Sequence, residues 1–119
     1  MFTENLFSYG TLQLASVQQN IFGRILKGYP DILTGYKITL VKIEDEAVVA
    51  SSGITHYNNL TYTGELSDEI NGMVFIITET ELQQADEYEA DADYKRIHVE
   101  VKSGKTAWVF LNSNSHATV

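Results

Sequence analysis

Hydrophobic and polar positions along the chain switch between a two-residue and a helical rhythm, and that switching predicts its elements. Residues 5–8 read as a short buried strand ending at the turn Tyr9-Gly10. Residues 11–20 predict a short helix, with Thr11 as its cap and Leu14 and Val17 on one side. Residues 22–26 and 36–43 run apolar or alternate, with Gly28, Pro30 and Gly35 between them, so both read as strands. Residues 48–50 predict a further short strand. The polar stretch 51–63, with Gly53 and Asn58-Asn59, reads as the longest loop.

Residues 71–77 form a β-branched and aromatic run, followed by Thr78-Glu79-Thr80-Glu81, which fits a capping box and opens a helix through Glu89. Residues 94–102 alternate, with Ile97, Val99 and Val101 on one face. Ser103-Gly104 is a turn, and residues 106–111 return as a strand. The sum is about six or seven strands and two helices, an α+β fold most simply built as a small mixed or antiparallel β-barrel with flanking helices. No linker or repeat divides the 119 residues, so 1–119 is read as a single domain.

Composition narrows the function. A content of 44% hydrophobic and 20% charged residues is that of an ordinary globular protein. With no cysteine there is no disulfide, thiolate metal site or cysteine nucleophile. No apolar stretch approaches the ~20 residues of a membrane span, and the N-terminus lacks the basic and apolar regions of a signal peptide. A cytoplasmic location is expected. The net charge of −8 argues against nucleic acid and anionic membrane as partners. An anionic group on a ligand must then be held locally, by backbone N–H groups or one placed arginine.

Two features carry candidate chemistry. Leu82, Ala85 and Glu89 stand at i, i+3 and i+7 of the second helix and share its core-facing side, while Glu81, Asp86 and Glu87 are expected to face water. A glutamate there loses hydration, which raises its pKa, and neighbouring Asp86, Glu87, Asp91 and Asp93 are expected to push the same way. A negative charge in the last helical turn also opposes the helix dipole. Glu89 is thus a candidate general acid/base. On periodicity alone, Glu89 turning out to solvent in a frayed acidic cap is the commoner outcome.

The second feature is the turn Tyr9-Gly10-Thr11-Leu12 between strand and helix. Such a turn offers unpaired N–H groups to a carboxylate or phosphate, and Gly10 allows close approach and unusual backbone angles. By itself the motif is as readily an ordinary strand-to-helix turn.

Taken in order, the motifs resemble those of the γ-glutamylcyclotransferase-like family. Residues 6–12 (Leu-Phe-Ser-Tyr-Gly-Thr-Leu) are similar to its Y-G-[ST]-[LN] turn, and Gly72-Met73-Val74-Phe75 to its G-x-[VL]-[YFW] strand. Residues 82–89 resemble its L-x-x-L-D-x-x-E helix, Tyr94-Lys95-Arg96 its Y-x-R, and residues 107–110 its closing aromatic strand. The resemblance implies a barrel with a cavity at one end and cyclisation of a γ-glutamyl amine or amino acid to 5-oxoproline plus free amine, without cofactor or metal. It places Glu89 at the catalytic position, Tyr9, Gly10, Thr11 and Leu12 in the substrate-holding loop, and Tyr94 on the cavity wall. Ala85 departs from the family's bulky residue, and Leu12 sets the chain with the Y-G-T-L branch. Residues 51–59 lack the tyrosine-proline segment of relatives, and this loop is expected near the mouth. The alternatives are a non-catalytic module that binds a small molecule in the same cavity and a regulatory protein that keeps only the fold.

His56, His98 and His116 lack metal-ligand spacing and read as surface or structural residues. Arg96 is expected to pair with one of the nearby acids rather than to bind substrate.

Overall fold

The computed structural model describes residues 3–42, 46–47, 50, 56–90 and 94–112. The chain runs β1 (Thr3–Ser8), a short 3-10 turn (Thr11–Gln13), α1 (Ala15–Phe22), β2 (Lys27–Thr34), β3 (Tyr36–Lys42), β4 (His56–Tyr62), β5 (Glu69–Thr78), α2 (Glu79–Ala90), β6 (Tyr94–Glu100) and β7 (Thr106–Asn112). Five strands form one sheet in the order β2-β5-β1-β7-β6, and β3 with β4 forms a separate two-stranded ribbon. All pairings are antiparallel except β1 with β7.

Side-chain alternation divides the core into two layers. Phe7, Val74, Ala107, Val109 and Leu111 face one way and pack with Leu33, Leu60 and Ile70 under the ribbon. Leu6, Phe75, Ile77 and Phe110 face the other way and meet Leu12, Leu26, Leu82 and Ala85 beneath the helices. Both faces of the central strands are buried, which is why β5 reads as a continuous apolar run.

The α+β class is as expected, but the five strands do not close into a barrel. Edge strands β2 and β6 are not laddered together. They meet at one place just beyond β6: Lys102 N–H donates to the Ile32 carbonyl at 2.8 Å. There the Asp31 carboxylate accepts from the Ser103 hydroxyl at 2.6 Å and, less closely, from its N–H at 3.3 Å. The sheet is curled with a single latch.

Other expectations change as well. The strand expected at 22–26 gives way to the end of α1, because Gly23 adopts φ 72 and its N–H caps the Gln19 carbonyl at 3.0 Å. The strand begins at Lys27 instead, and β2, at the edge of the sheet, tolerates Pro30 in a position that reads as a turn. The loop expected over 51–63 contains β4, whose ladder with β3 and buried Leu60 make a strand without any apolar alternation of its own. Of the strand expected at 48–50, Val48 and Val49 lie outside the described residues, as do residues 51–55 of the expected mouth loop. The Ser103-Gly104 turn forms as expected, with Gly104 at φ 93. Among the described residues no helix is long and apolar enough to cross a membrane.

Candidate active site

Helix α2 begins on the expected capping box. The Thr78 hydroxyl accepts from Glu81 N–H at 3.1 Å, and Glu81 Oε1 accepts from Thr78 N–H at 2.9 Å. Glu81 was expected to face water and is instead buried, because both its carboxylate oxygens are held at 2.7 Å by the Arg24 guanidinium. That fork, foremost, pulls the Glu81 pKa below its usual value. Leu82 and Ala85 follow as core residues, so the helix face that carries Glu89 is fixed from its first turn.

Glu89 is half-buried in the last turn of α2. Among the described residues its carboxylate has no hydrogen-bond partner, and burial alone raises its pKa from 4.5 to about 7. The expected push from neighbouring acids is not the cause. Asp86 is neutralised by Arg96 at 2.7 Å, and Asp91 and Asp93 lie outside the described residues. That ion pair is the one expected for Arg96, whose guanidinium also lies 4.2 Å from the Trp108 ring centre.

At the end of β1, Tyr9 packs against the inner core layer, and its hydroxyl donates to the Phe110 carbonyl oxygen at 2.6 Å. Its pKa is raised, first by burial and then by the neighbouring Tyr94 and Glu89. Tyr9, Tyr94 and Glu89 therefore stand within electrostatic reach of one another. They come from the end of β1, the start of β6 and the end of α2. Tyr94 is buried in the helix-side layer.

The loop differs from expectation in its details. Thr11 does not cap a helix: residues 11–13 make one 3-10 turn, Leu14 is extended, and α1 starts only at Ala15. Leu14 is correspondingly exposed. The first bond of the turn runs from Gln13 N–H to the Gly10 carbonyl at 3.1 Å, so the N–H groups of Thr11 and Leu12 have no partner within it. The Thr11 side chain is exposed, and the Leu12 side chain is buried in the helix-side core, so each can serve a ligand chiefly through its backbone.

Gly10 has φ −139, outside the left-handed region, and nothing lies within 4 Å of the place a Cβ would occupy. The protein itself leaves that space open. Two residues missed by the sequence reading shape the loop. The buried Gln18 amide donates to the Leu12 carbonyl at 2.8 Å and accepts from Leu26 N–H at 2.9 Å. Gly72 lets β1 approach, since a Cβ there would fall 2.4 Å from the Ser8 carbonyl and 2.6 Å from the Phe7 ring. A glutamine in a polar run gives no signal of burial, whereas Gly72 inside an apolar strand is a recognised sign of close approach.

The family model described as gamma-glutamyl cyclotransferase, AIG2-like, matches residues 6–118. The chain belongs to that family. Among solved structures it is similar to a protein from Arabidopsis thaliana, with TM-score 0.73 and 22% identity over 96% of this chain and 64% of that one. An uncharacterized protein from Homo sapiens gives TM-score 0.71 and 20% identity over 94% and 68% of the two chains. A gamma-glutamyl cyclotransferase gives TM-score 0.70 and 17% identity over 94% and 68%. These likenesses are of fold, and the chain spans less than two thirds of the length of the first of them. No curated protein matches the sequence.

Proposed function

We propose that this chain cyclises a γ-glutamyl amine or amino acid, releasing 5-oxoproline and a free amine, with Glu89 as general acid/base. The observation that carries this is the half-buried Glu89 carboxylate, unpaired among the described residues, tuned to about pH 7 by burial and neighbouring Tyr9 and Tyr94. A catalytic proton carrier works best with a pKa near the working pH.

In this reading the substrate's own α-amine attacks its γ-carbonyl carbon. A C–N bond forms to close the five-membered lactam, and the bond from that carbon to the leaving nitrogen breaks. Glu89 takes the proton given up by the attacking nitrogen and returns it to the leaving one, so the protein supplies no nucleophile. The N–H groups of Thr11 and Leu12 hold the substrate carboxylate or the developing oxyanion. The open space beside Gly10 supports that use, since an alanine methyl group would stand where the ligand approaches. Tyr9, pinned through its hydroxyl, and Tyr94 serve as walls that orient the folded substrate, and fixing that conformer contributes up to ~7–11 kcal/mol. The small-molecule γ-glutamyl substrate is the partner implied, in a cytoplasmic setting and with no cofactor called for by this chemistry.

The test is a panel of γ-glutamyl amines and amino acids incubated with the protein while 5-oxoproline is measured. Turnover is expected for at least one member, and Glu89→Gln should reduce it by about 10²–10⁴-fold. Binding of panel members without turnover would favour a non-catalytic module instead.

A further inference from the structure

Among the described residues, the Tyr29 hydroxyl is the one buried side-chain polar atom with no hydrogen-bond partner. A hydroxyl sealed from water and left unpaired carries a desolvation penalty, so it calls for an explanation. Tyr29 as a residue is only half-buried, and it packs against the inner core layer. The ring thus reaches the surface while the hydroxyl points inward.

The ladders place it. Tyr29 stands opposite Val74, and Val74 opposite Phe7, so the three share the inner face of the curled sheet. Tyr9 follows Phe7 by two residues and packs against the same layer. Tyr29 lies on β2, at the opposite edge of the sheet from β6, where Tyr94 stands beside Tyr9. The Lys105 ammonium lies 5.5 Å from the Tyr29 ring centre and also bears on Asp31.

We infer that the Tyr29 hydroxyl binds the leaving-amine half of the substrate and selects leaving amines that carry a polar group. The inference rests on the cyclotransferase reading above. There the reacting nitrogens stay with Glu89 and the glutamyl carboxylate with residues 9–12. What remains to extend across the inner face toward β2 is the substituent of the leaving amine. A phenol both donates and accepts, so a carboxylate, amide or hydroxyl on that substituent satisfies it. An alkyl chain does not. The nearby Lys105 charge favours a carboxylate among these.

Tyr29→Phe keeps the ring and removes only the hydroxyl. Values of kcat and KM are measured for γ-glutamylalanine and γ-glutamylbutylamine. Dissociation constants for both are measured by calorimetry in Glu89→Gln protein, with and without Tyr29→Phe. For γ-glutamylalanine, KM and Kd should rise about 3–10-fold with kcat little changed, the loss of one neutral hydrogen bond. For γ-glutamylbutylamine both should stay as they are. Unchanged values for γ-glutamylalanine, or an equal rise for both compounds, would overturn the assignment. If the wild-type protein turns over neither compound but Tyr29→Phe still weakens γ-glutamylalanine binding, the cyclisation reading fails and the Tyr29 contact stands. Absence of binding by both compounds overturns both.

Discussion

The Tyr9 hydroxyl donates to the Phe110 carbonyl oxygen at 2.6 Å and so ties the end of β1 to β7 across 101 residues of chain. The bond fixes the phenol where the Tyr9-Gly10 turn begins. Tyr9→Phe keeps the ring and loses the tie, at an expected cost of about 1 kcal/mol in urea denaturation. Catalytic efficiency should fall with it, because the turn that carries the Thr11 and Leu12 N–H groups is no longer anchored. A variant of full stability and activity would remove the tie from the account.

Glu89 makes stability depend on pH in a way opposite to an ordinary carboxylate. Its folded pKa is raised from 4.5 to about 7, so the folded chain keeps a proton that the unfolded chain releases. The stability this contributes is complete below pH 4.5 and is lost as the pH rises toward 7. Glu89→Gln is neutral throughout and escapes the loss. Its advantage over wild type should be absent at the acid end and reach about 1–3 kcal/mol above neutrality, read by denaturant titration across the range.

Two glycines of the site region should respond to alanine in opposite ways. At Gly72 a methyl group meets the Ser8 carbonyl at 2.4 Å, so Gly72→Ala should cost about 1–3 kcal/mol and displace the residues leading into Tyr9. At Gly10 the same methyl group meets nothing within 4 Å and the backbone is not left-handed. Gly10→Ala should therefore melt like wild type while raising KM for the γ-glutamyl substrate. Unchanged kinetics in that variant would argue that no ligand approaches Gly10.

The latch between the sheet edges is a separate element of stability. Asp31 is buried, and although burial works to raise its pKa, the Ser103 hydroxyl and the Ile32 and Ser103 N–H groups outweigh it and hold the pKa below the usual value. This stability is present at neutral pH and is lost as the pH falls through that lowered pKa. Ser103→Ala should cost about 1 kcal/mol at neutral pH and less in acid, measured by thermal unfolding.

How far the residues foretold this arrangement depends on the kind of signal each carries. The capping box at Thr78 and Glu81, the Ser103-Gly104 hairpin and the core side of α2 were legible because each rests on neighbours within one element. Burial of Glu81 was not legible, since Arg24, its partner, is 57 positions distant in the sequence. For β4 the cause is its ladder with β3, and the His56–Tyr62 pattern alone is that of a loop. The open sheet departs from the expected barrel because closure depends on whether β2 and β6 pair, which neither strand announces in its own residues. At the site, the raised pKa of Glu89 followed from helical spacing, whereas the anchoring of Leu12 by Gln18 is a tertiary contact hidden in a polar run.

The most direct measurement of the central claim is the pH dependence of kcat/KM for 5-oxoproline release by wild type and Glu89→Gln. If Glu89 accepts the first proton, the wild-type value rises with pH up to an inflection near 7 and then levels, while the variant is slow and has lost that inflection. An inflection that persists unmoved in Glu89→Gln, or a variant as fast as wild type, would contradict the account.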